Sequence, residues 1–163
     1  MIPTRIVRNL RSTSVGFIGL GAMGRNMASN LVHKAFAQQP AGAPKPSFVV
    51  YDAYKPSLDA FLAEHASSGS GPNFVVSETP SGVSKLAGSV FTMLPSSPQV
   101  QEVYLGKGGL LEGISDLEPA SRADSLFVDC TSLDQSVAKD VARQMGVVGA
   151  SMIDAPVSGG LFF

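Results

Sequence analysis

Short runs of Val, Ile and Phe alternate along the chain with longer stretches whose apolar residues recur at helical spacing. That pattern belongs to a parallel sheet wrapped by helices, an α/β, doubly wound, mostly parallel architecture. Strands are predicted at residues 14–18, 47–51, 73–76, 89–93, 125–129 and 151–153. Helices are predicted at 22–34, 56–64, 80–86, 98–104 and 134–145, and Pro56, Pro80 and Pro98 stand in the first helical turn, where proline is best tolerated. Three stretches read as loops. Residues 38–46 carry Pro40, Gly42, Pro44 and Pro46, an insertion between the first helix and the second strand. Residues 67–72 form a Ser/Gly turn, and 106–118, with Gly108, Gly109 and Gly113 around Leu110 and Leu111, reads as a wandering connection.

The first strand ends in Gly19-Leu20-Gly21-Ala22-Met23-Gly24, and Met23, Met27, Asn30 and Leu31 follow at helical spacing. A G-x-G-x-x-G string alone is weak, but a buried-strand pattern before it and a helix after it are the context that a dinucleotide cradle needs. Gly19 allows the tight turn, Gly21 lets backbone approach a pyrophosphate, and Gly24 lets helix pack on strand. The helix N-terminus adds amide donors and a partial positive charge. The competing reading is a glycine turn that only connects strand to helix.

An acid closing the second strand reads the ribose hydroxyls in such folds. Asp52 stands there, 28 residues beyond Gly24, and the 38–46 insertion accounts for the excess over the usual spacing. A carboxylate accepts both hydroxyls and repels a 2′-phosphate, so NAD is expected over NADP, although Lys55 stands close enough to blunt the repulsion.

Composition narrows the classes. With 44% apolar and 15% charged residues and no apolar run long enough for a bilayer, the chain reads as a globular domain with no membrane partner. Twelve basic and thirteen acidic residues leave a charge of -1, so no nucleic-acid partner is expected. Cys130, His33 and His65 are too few for a metal site. The charge is uneven, however. Arg5, Arg8 and Arg11 precede the first acid, Asp52, so residues 1–14 read as a mitochondrial-type transit peptide or as a tail ahead of the domain.

Several motifs together resemble the 3-hydroxyisobutyrate dehydrogenase family of β-hydroxyacid dehydrogenases. They are the glycine signature from Gly16 through Leu31, Thr92-Met93-Leu94-Pro95-Ser96-Ser97 with Glu102-Val103-Tyr104, Asp129-Cys130-Thr131-Ser132 with Asp134, and Asp154-Ala155-Pro156-Val157-Ser158-Gly159-Gly160. The resemblance runs over residues 15–160, nearly the whole chain, as a Rossmann-type NAD(P)-binding domain. It implies cofactor contacts at Leu94 and Pro95 and a nicotinamide-side contact at Ser132. It also implies that Ser158, Gly159 and Gly160 hold the carboxylate of a small hydroxy acid. Where the family often has an asparagine after Pro98, this chain has Gln99.

6-Phosphogluconate dehydrogenases share the cofactor turn, but Asp154-Ala155-Pro156 resembles the hydroxyacid branch. Within that branch the resemblance leans to the mitochondrial valine-catabolism activity, 3-hydroxyisobutyrate oxidised to methylmalonate semialdehyde. In the family a lysine on a helix beyond this domain removes the alcohol proton, and an all-helical domain closes the pocket and carries the dimer contacts. Residues 161–163 depart from the family pattern, and Lys34, Lys45, Lys55, Lys85, Lys107 and Lys139 read as solvated side chains, so no catalytic base is assigned. Two readings follow: part of an NAD-dependent dehydrogenase, or an NAD-binding module without turnover. Apolar surface is expected at Met152, Ile153 and Val157, open to association.

Overall fold

The computed structural model describes residues 11–35, 47–66 and 72–158. The 38–46 insertion, most of the 67–72 turn, Gly159 and Gly160 lie outside the described residues. Strands β1 (Val15–Ile18), β2 (Ser47–Tyr51), β3 (Asn73–Val76), β4 (Ser89–Thr92), β5 (Leu126–Asp129) and β6 (Ser151–Asp154) form one parallel sheet. Their order is β3-β2-β1-β4-β5-β6. This is the doubly wound Rossmann arrangement expected from the strand–helix alternation. Helices α1 (Ala22–Ala35) and α2 (Lys55–His65) connect the first three strands. Further along come α3 (Pro80–Leu86), α4 (Ser97–Leu105), α5 (Leu110–Ser115), α6 (Pro119–Ala123) and α7 (Gln135–Val147).

Because successive strand residues point to opposite faces, the apolar runs of β1 and β2 feed two cores at once. Phe17, Phe48 and Val50 pack with Ala28 and Val32 of α1 and Leu58 and Phe61 of α2. Ile18, Val49, Val90 and Phe127 pack on the other face with Val83, Val100, Tyr104, Leu110, Ile114, Val141 and Met145. Phe17, Phe48 and Phe61 are wholly buried. Each such side chain contributes about 2 kcal/mol. The two layers exist because crossovers are right-handed: moving outward from β1 in opposite directions puts the helices on opposite faces. The direction reverses between β1 and β4, and that point opens a crevice at the carboxyl ends of the strands.

Local chemistry starts the helices as their sequence suggests. Thr79 caps α3 by accepting from the Gly82 amide, with Pro80 following. Asp134 caps α7 by accepting from Ser136 N at 2.8 Å, and the Ser136 bonds hold its carboxyl below the usual range.

The stretch 106–118, read as a wandering connection, contains α5, and α6 follows directly after it. Its glycines misled because they serve the helix: Gly109 is its N-cap, and a Cβ on Gly113 would run into the Ser81 carbonyl, so α5 lies tight against α3. Burial of Leu110 and Ile114, one turn apart, outweighs the weak propensity. Arg11, grouped by composition with the basic start, is 8% exposed. Its guanidinium donates to Ser84 O at 2.9 Å, Ser125 Oγ at 2.8 Å and Ser121 O at 3.2 Å. The folded body therefore takes in Arg11. Ile153 and Val157 are 50% and 37% exposed as expected, whereas Met152 packs against the larger core.

Candidate functional site

Above the crevice between β1 and β4 lies a cavity of about 700 Å³. Gly19, Gly21, Ala22, Met23, Gly24, Asp52, Leu94 and Pro95, all predicted from sequence, line it. Leu20 lines a smaller adjoining recess. Ser132 and Ser158 are exposed at the ends of β5 and β6, outside the cavity lining. The lining brings in residues that the sequence did not single out as contacts, among them Tyr51, Tyr54, Pro80, Glu102, Val103 and Lys107. Lys107 is exposed, as a solvated side chain should be, and it stands at the cavity because the Gly108 carbonyl of its loop accepts from Ser81 N of α3 at 2.8 Å.

The glycine turn has a physical reason at each end. Gly19 sits at φ 94°, a left-handed conformation that L side chains rarely adopt, and a Cβ there would strike the Met93 carbonyl. A Cβ on Gly24 would strike the carbonyl of Gly19, so the first turn of α1 closes onto the loop only with glycine. At Gly21, by contrast, a Cβ would meet nothing within 4 Å, so the backbone there faces open space. No acidic residue occupies the first turn of α1, so the positive end of its dipole is not neutralised from within the helix.

Asp52 is held rather than free. Its Oδ2 accepts from Leu20 N at 2.5 Å and its Oδ1 from Tyr54 N at 2.7 Å. The carboxylate is thereby clamped between the glycine turn and the start of α2, with each oxygen keeping a second acceptor position. Lys55 pairs with Asp59 at 3.1 Å, one turn along α2.

The β4–β5 side is built differently. Asp129 is fully buried, and its Oδ1 accepts from Thr92 Oγ1 at 2.7 Å and Thr131 Oγ1 at 2.8 Å. Burial, more than any neighbouring charge, pushes its pKa above the ordinary carboxyl value. Tyr104 OH lies 3.0 Å from Thr92 Oγ1, and burial holds that phenol protonated. Cys130 is buried alongside, its thiol pKa raised first by burial and then by Asp129, which makes it a poor nucleophile. A signal for this network was present: Thr92 and Asp129 are polar residues that directly follow the apolar runs of β4 and β5, and buried polar groups require partners.

Among the described residues no group of three or more His, Cys, Asp and Glu side chains could hold a metal ion, and no helix is long and apolar enough to cross a membrane.

Residues 14–161 match the family model described as the NAD binding domain of 6-phosphogluconate dehydrogenase. Mitochondrial 3-hydroxyisobutyrate dehydrogenases of Rattus norvegicus and Homo sapiens are 34% and 33% identical over 149 residues, 91% of this chain. The chain spans only 37% of the length of these curated relatives. Among solved structures, Psf3 in complex with NADP+ and 2-OPP has a TM-score of 0.66 at 26% identity, over 90% of this chain and 43% of that one. 3-Hydroxyisobutyrate dehydrogenase of Mycobacterium tuberculosis with L-serine shares the fold, with a TM-score of 0.62 at 24% identity over 90% and 41% of the two chains. The glycine turn, the sheet order and these matches agree: the chain belongs to the family of the NAD binding domain of 6-phosphogluconate dehydrogenase, and is similar to 3-hydroxyisobutyrate dehydrogenases.

Proposed function

We propose that this chain is the cofactor-holding part of an enzyme that uses NAD to oxidise a small 3-hydroxy acid, 3-hydroxyisobutyrate to methylmalonate semialdehyde. The observation that carries the choice of cofactor is the clamped Asp52 carboxylate, placed beside the glycine turn on the cavity wall. The residues present fit a dinucleotide: the turn closes only with glycine at its ends, and its middle faces open space.

In this reading the first-turn amides of α1 and the backbone around Gly21 and Ala22 receive the pyrophosphate, with Leu20 and Met23 completing the turn. Asp52 accepts the two ribose hydroxyls and repels a 2′-phosphate, and Lys55, engaged by Asp59, does not relieve that repulsion. Leu94 and Pro95 pack beside the second phosphate and ribose, and the Ser132 hydroxyl serves the nicotinamide side. Ser158 and the amides of Gly159 and Gly160 hold the substrate carboxylate. When bound, NAD supplies a hydride acceptor for the alcohol carbon. Removal of the hydroxyl proton is assigned to the part of the protein that the relatives possess beyond the matched stretch, where the family carries its lysine. The word mitochondrial in the names of the relatives supports a mitochondrial location, which we assign to the matrix, and the proposed substrate goes with a role in valine catabolism. Homo-oligomer contacts are assigned to that same outside part.

Titration of the purified chain with both cofactors tests the assignment: NAD binds more tightly than NADP, and the reverse order overturns it. The 163-residue chain is expected to oxidise no 3-hydroxyisobutyrate by itself. Absorbance at the reduced nicotinamide band reads this directly, and turnover by the isolated chain would refute the placement of the base elsewhere.

A further inference from the structure

A buried carboxyl that none of the proposed contacts uses lies beneath the cavity wall. Asp129 Oδ1 accepts from Thr92 Oγ1 at 2.7 Å, Thr131 Oγ1 at 2.8 Å and Thr131 N at 3.3 Å. Its Oδ2 is buried with no hydrogen-bond partner among the described residues. Each threonine hydroxyl has one proton, and both direct it at Oδ1. Each therefore acts as acceptor toward its other neighbour. Thr131 Oγ1 accepts from Leu94 N at 2.9 Å, and Thr92 Oγ1 accepts from Tyr104 OH at 3.0 Å. The bonds run one way, from Leu94 and Tyr104 inward to one oxygen.

The reason for a side-chain bond to Leu94 lies in the sheet. The β4–β5 ladder ends where Cys130 N donates to Thr92 O at 2.8 Å. Beyond that point the Leu94 amide turns to the hydroxyl of Thr131 instead of a strand carbonyl. Leu94 and Pro95 form part of the cavity wall, as do Glu102 and Val103, the residues before Tyr104 on α4. The backbone carbonyl of Asp129 also accepts from Ala155 N at 2.8 Å, tying in the segment that leads to Ser158. One buried residue thus joins three pieces of the cleft, at β4, β5 and β6, together with α4.

We propose that Asp129 is a positioning residue for the nicotinamide-side half of the cofactor, fixing the Leu94–Pro95 wall through the Thr131 hydroxyl. The proposal rests on the reading that Leu94, Pro95 and Ser132 touch the dinucleotide beyond its first phosphate. It separates the cleft into two independently held parts: AMP occupies only the part around Asp52, whereas NADH reaches both.

The test measures dissociation constants of NADH and AMP for the full 163-residue chain and for Thr131→Val and Thr131→Ser. Valine keeps the branched shape and removes the hydroxyl, and serine restores it. Thr131→Val weakens NADH about five- to tenfold, the effect of one lost hydrogen bond. AMP stays within about twofold, and Thr131→Ser recovers most of the NADH affinity. Thermal unfolding of each variant verifies that the body remains folded. Equal weakening of AMP and NADH overturns the proposal, since a general loss of structure would do that, and so does unchanged NADH binding. If the unaltered chain binds AMP but gains nothing from the nicotinamide half, the contact assignment for Leu94, Pro95 and Ser132 fails first, and the positioning role with it.

Discussion

The two sides of the crevice are held by opposite means. On the β1–α1–β2 side, backbone does the shaping: Gly19 and Gly24 close the turn against each other, and Leu20 and Tyr54 present amides to Asp52. On the β4–β5 side, the hydroxyls of Thr92 and Thr131 converge on one buried carboxylate oxygen, and Tyr104 OH and the Leu94 amide bond to those hydroxyls in turn. The first arrangement uses residues within a few positions of a motif. The second joins Thr92 to Asp129 and Leu94 to Thr131, each pair 37 positions apart. Backbone-led sites tolerate almost no change of residue type at the glycines, because a Cβ meets main chain that cannot move aside. Networks of side chains degrade by steps, since each bond is one of several.

The largest effect is expected from the glycine side. Gly24→Val forces a branched side chain onto the Gly19 carbonyl. It should cost about 3 kcal/mol in stability. Cofactor binding is expected to disappear, falling more than about a hundredfold, since turn and helix no longer close together. Urea unfolding and NADH fluorescence read the two effects. A variant that keeps near-normal binding would break the claim that this half is set by backbone geometry.

Asp129→Ala comes next. It leaves two buried hydroxyls and an amide without their acceptor, at about 2 kcal/mol. Asp129→Asn, which keeps an acceptor oxygen, should lose less, and equal losses would show that charge rather than the accepted bonds holds this side. Asp52→Ala is a smaller change. It removes about 1.4 kcal/mol of NAD binding, roughly tenfold, and narrows the preference over NADP. A preference that does not move would detach Asp52 from the ribose.

The smallest separation is by pH. Under the first half, His65 is packed against Phe61 and Phe74, and its Nε2 meets Ser29 Oγ at 3.0 Å. Burial lowers its pKa below 6.5, against an opposing pull from Glu64 and a smaller push from His33. The unfolded chain therefore takes up the proton first, and stability falls as pH drops through 6.5 toward the folded value. In the second half Asp129 has a raised pKa, chiefly from burial, with Asp154 adding to it. There the folded state binds the proton more readily, so its contribution is fully present below the ordinary carboxyl pKa and is lost as pH rises through the folded value. Denaturation midpoints across pH should show His65→Phe removing a loss of stability on acidification and Asp129→Asn removing a loss on raising the pH. Slope changes of the same sign would mean that the two halves are not separately titrated.

Much of this was legible in the residues. Six strands and five helices follow from apolar periodicity and from prolines at first-turn positions, and they match within a residue or two. The glycine turn and Asp52 could be read because the physics that demands them is local. The 106–118 stretch could not. Glycines there signal a loop, and only the close approach of α5 to α3, with Gly113 against Ser81, shows why a helix forms among them. Arg11 likewise reads with the basic start of the chain until Ser84, Ser121 and Ser125 are brought around it.

The amino-acid order by itself determined the strand–helix alternation, the cradle and the acid at its rim, since each depends on neighbours within one strand–turn–helix unit. Tertiary structure alone decided that Thr92, Asp129, Thr131 and Tyr104 share one network and that Lys107 reaches the cavity. A hydrogen bond needs its partners within about 3 Å, and no periodicity in a chain encodes which distant strands will lie side by side.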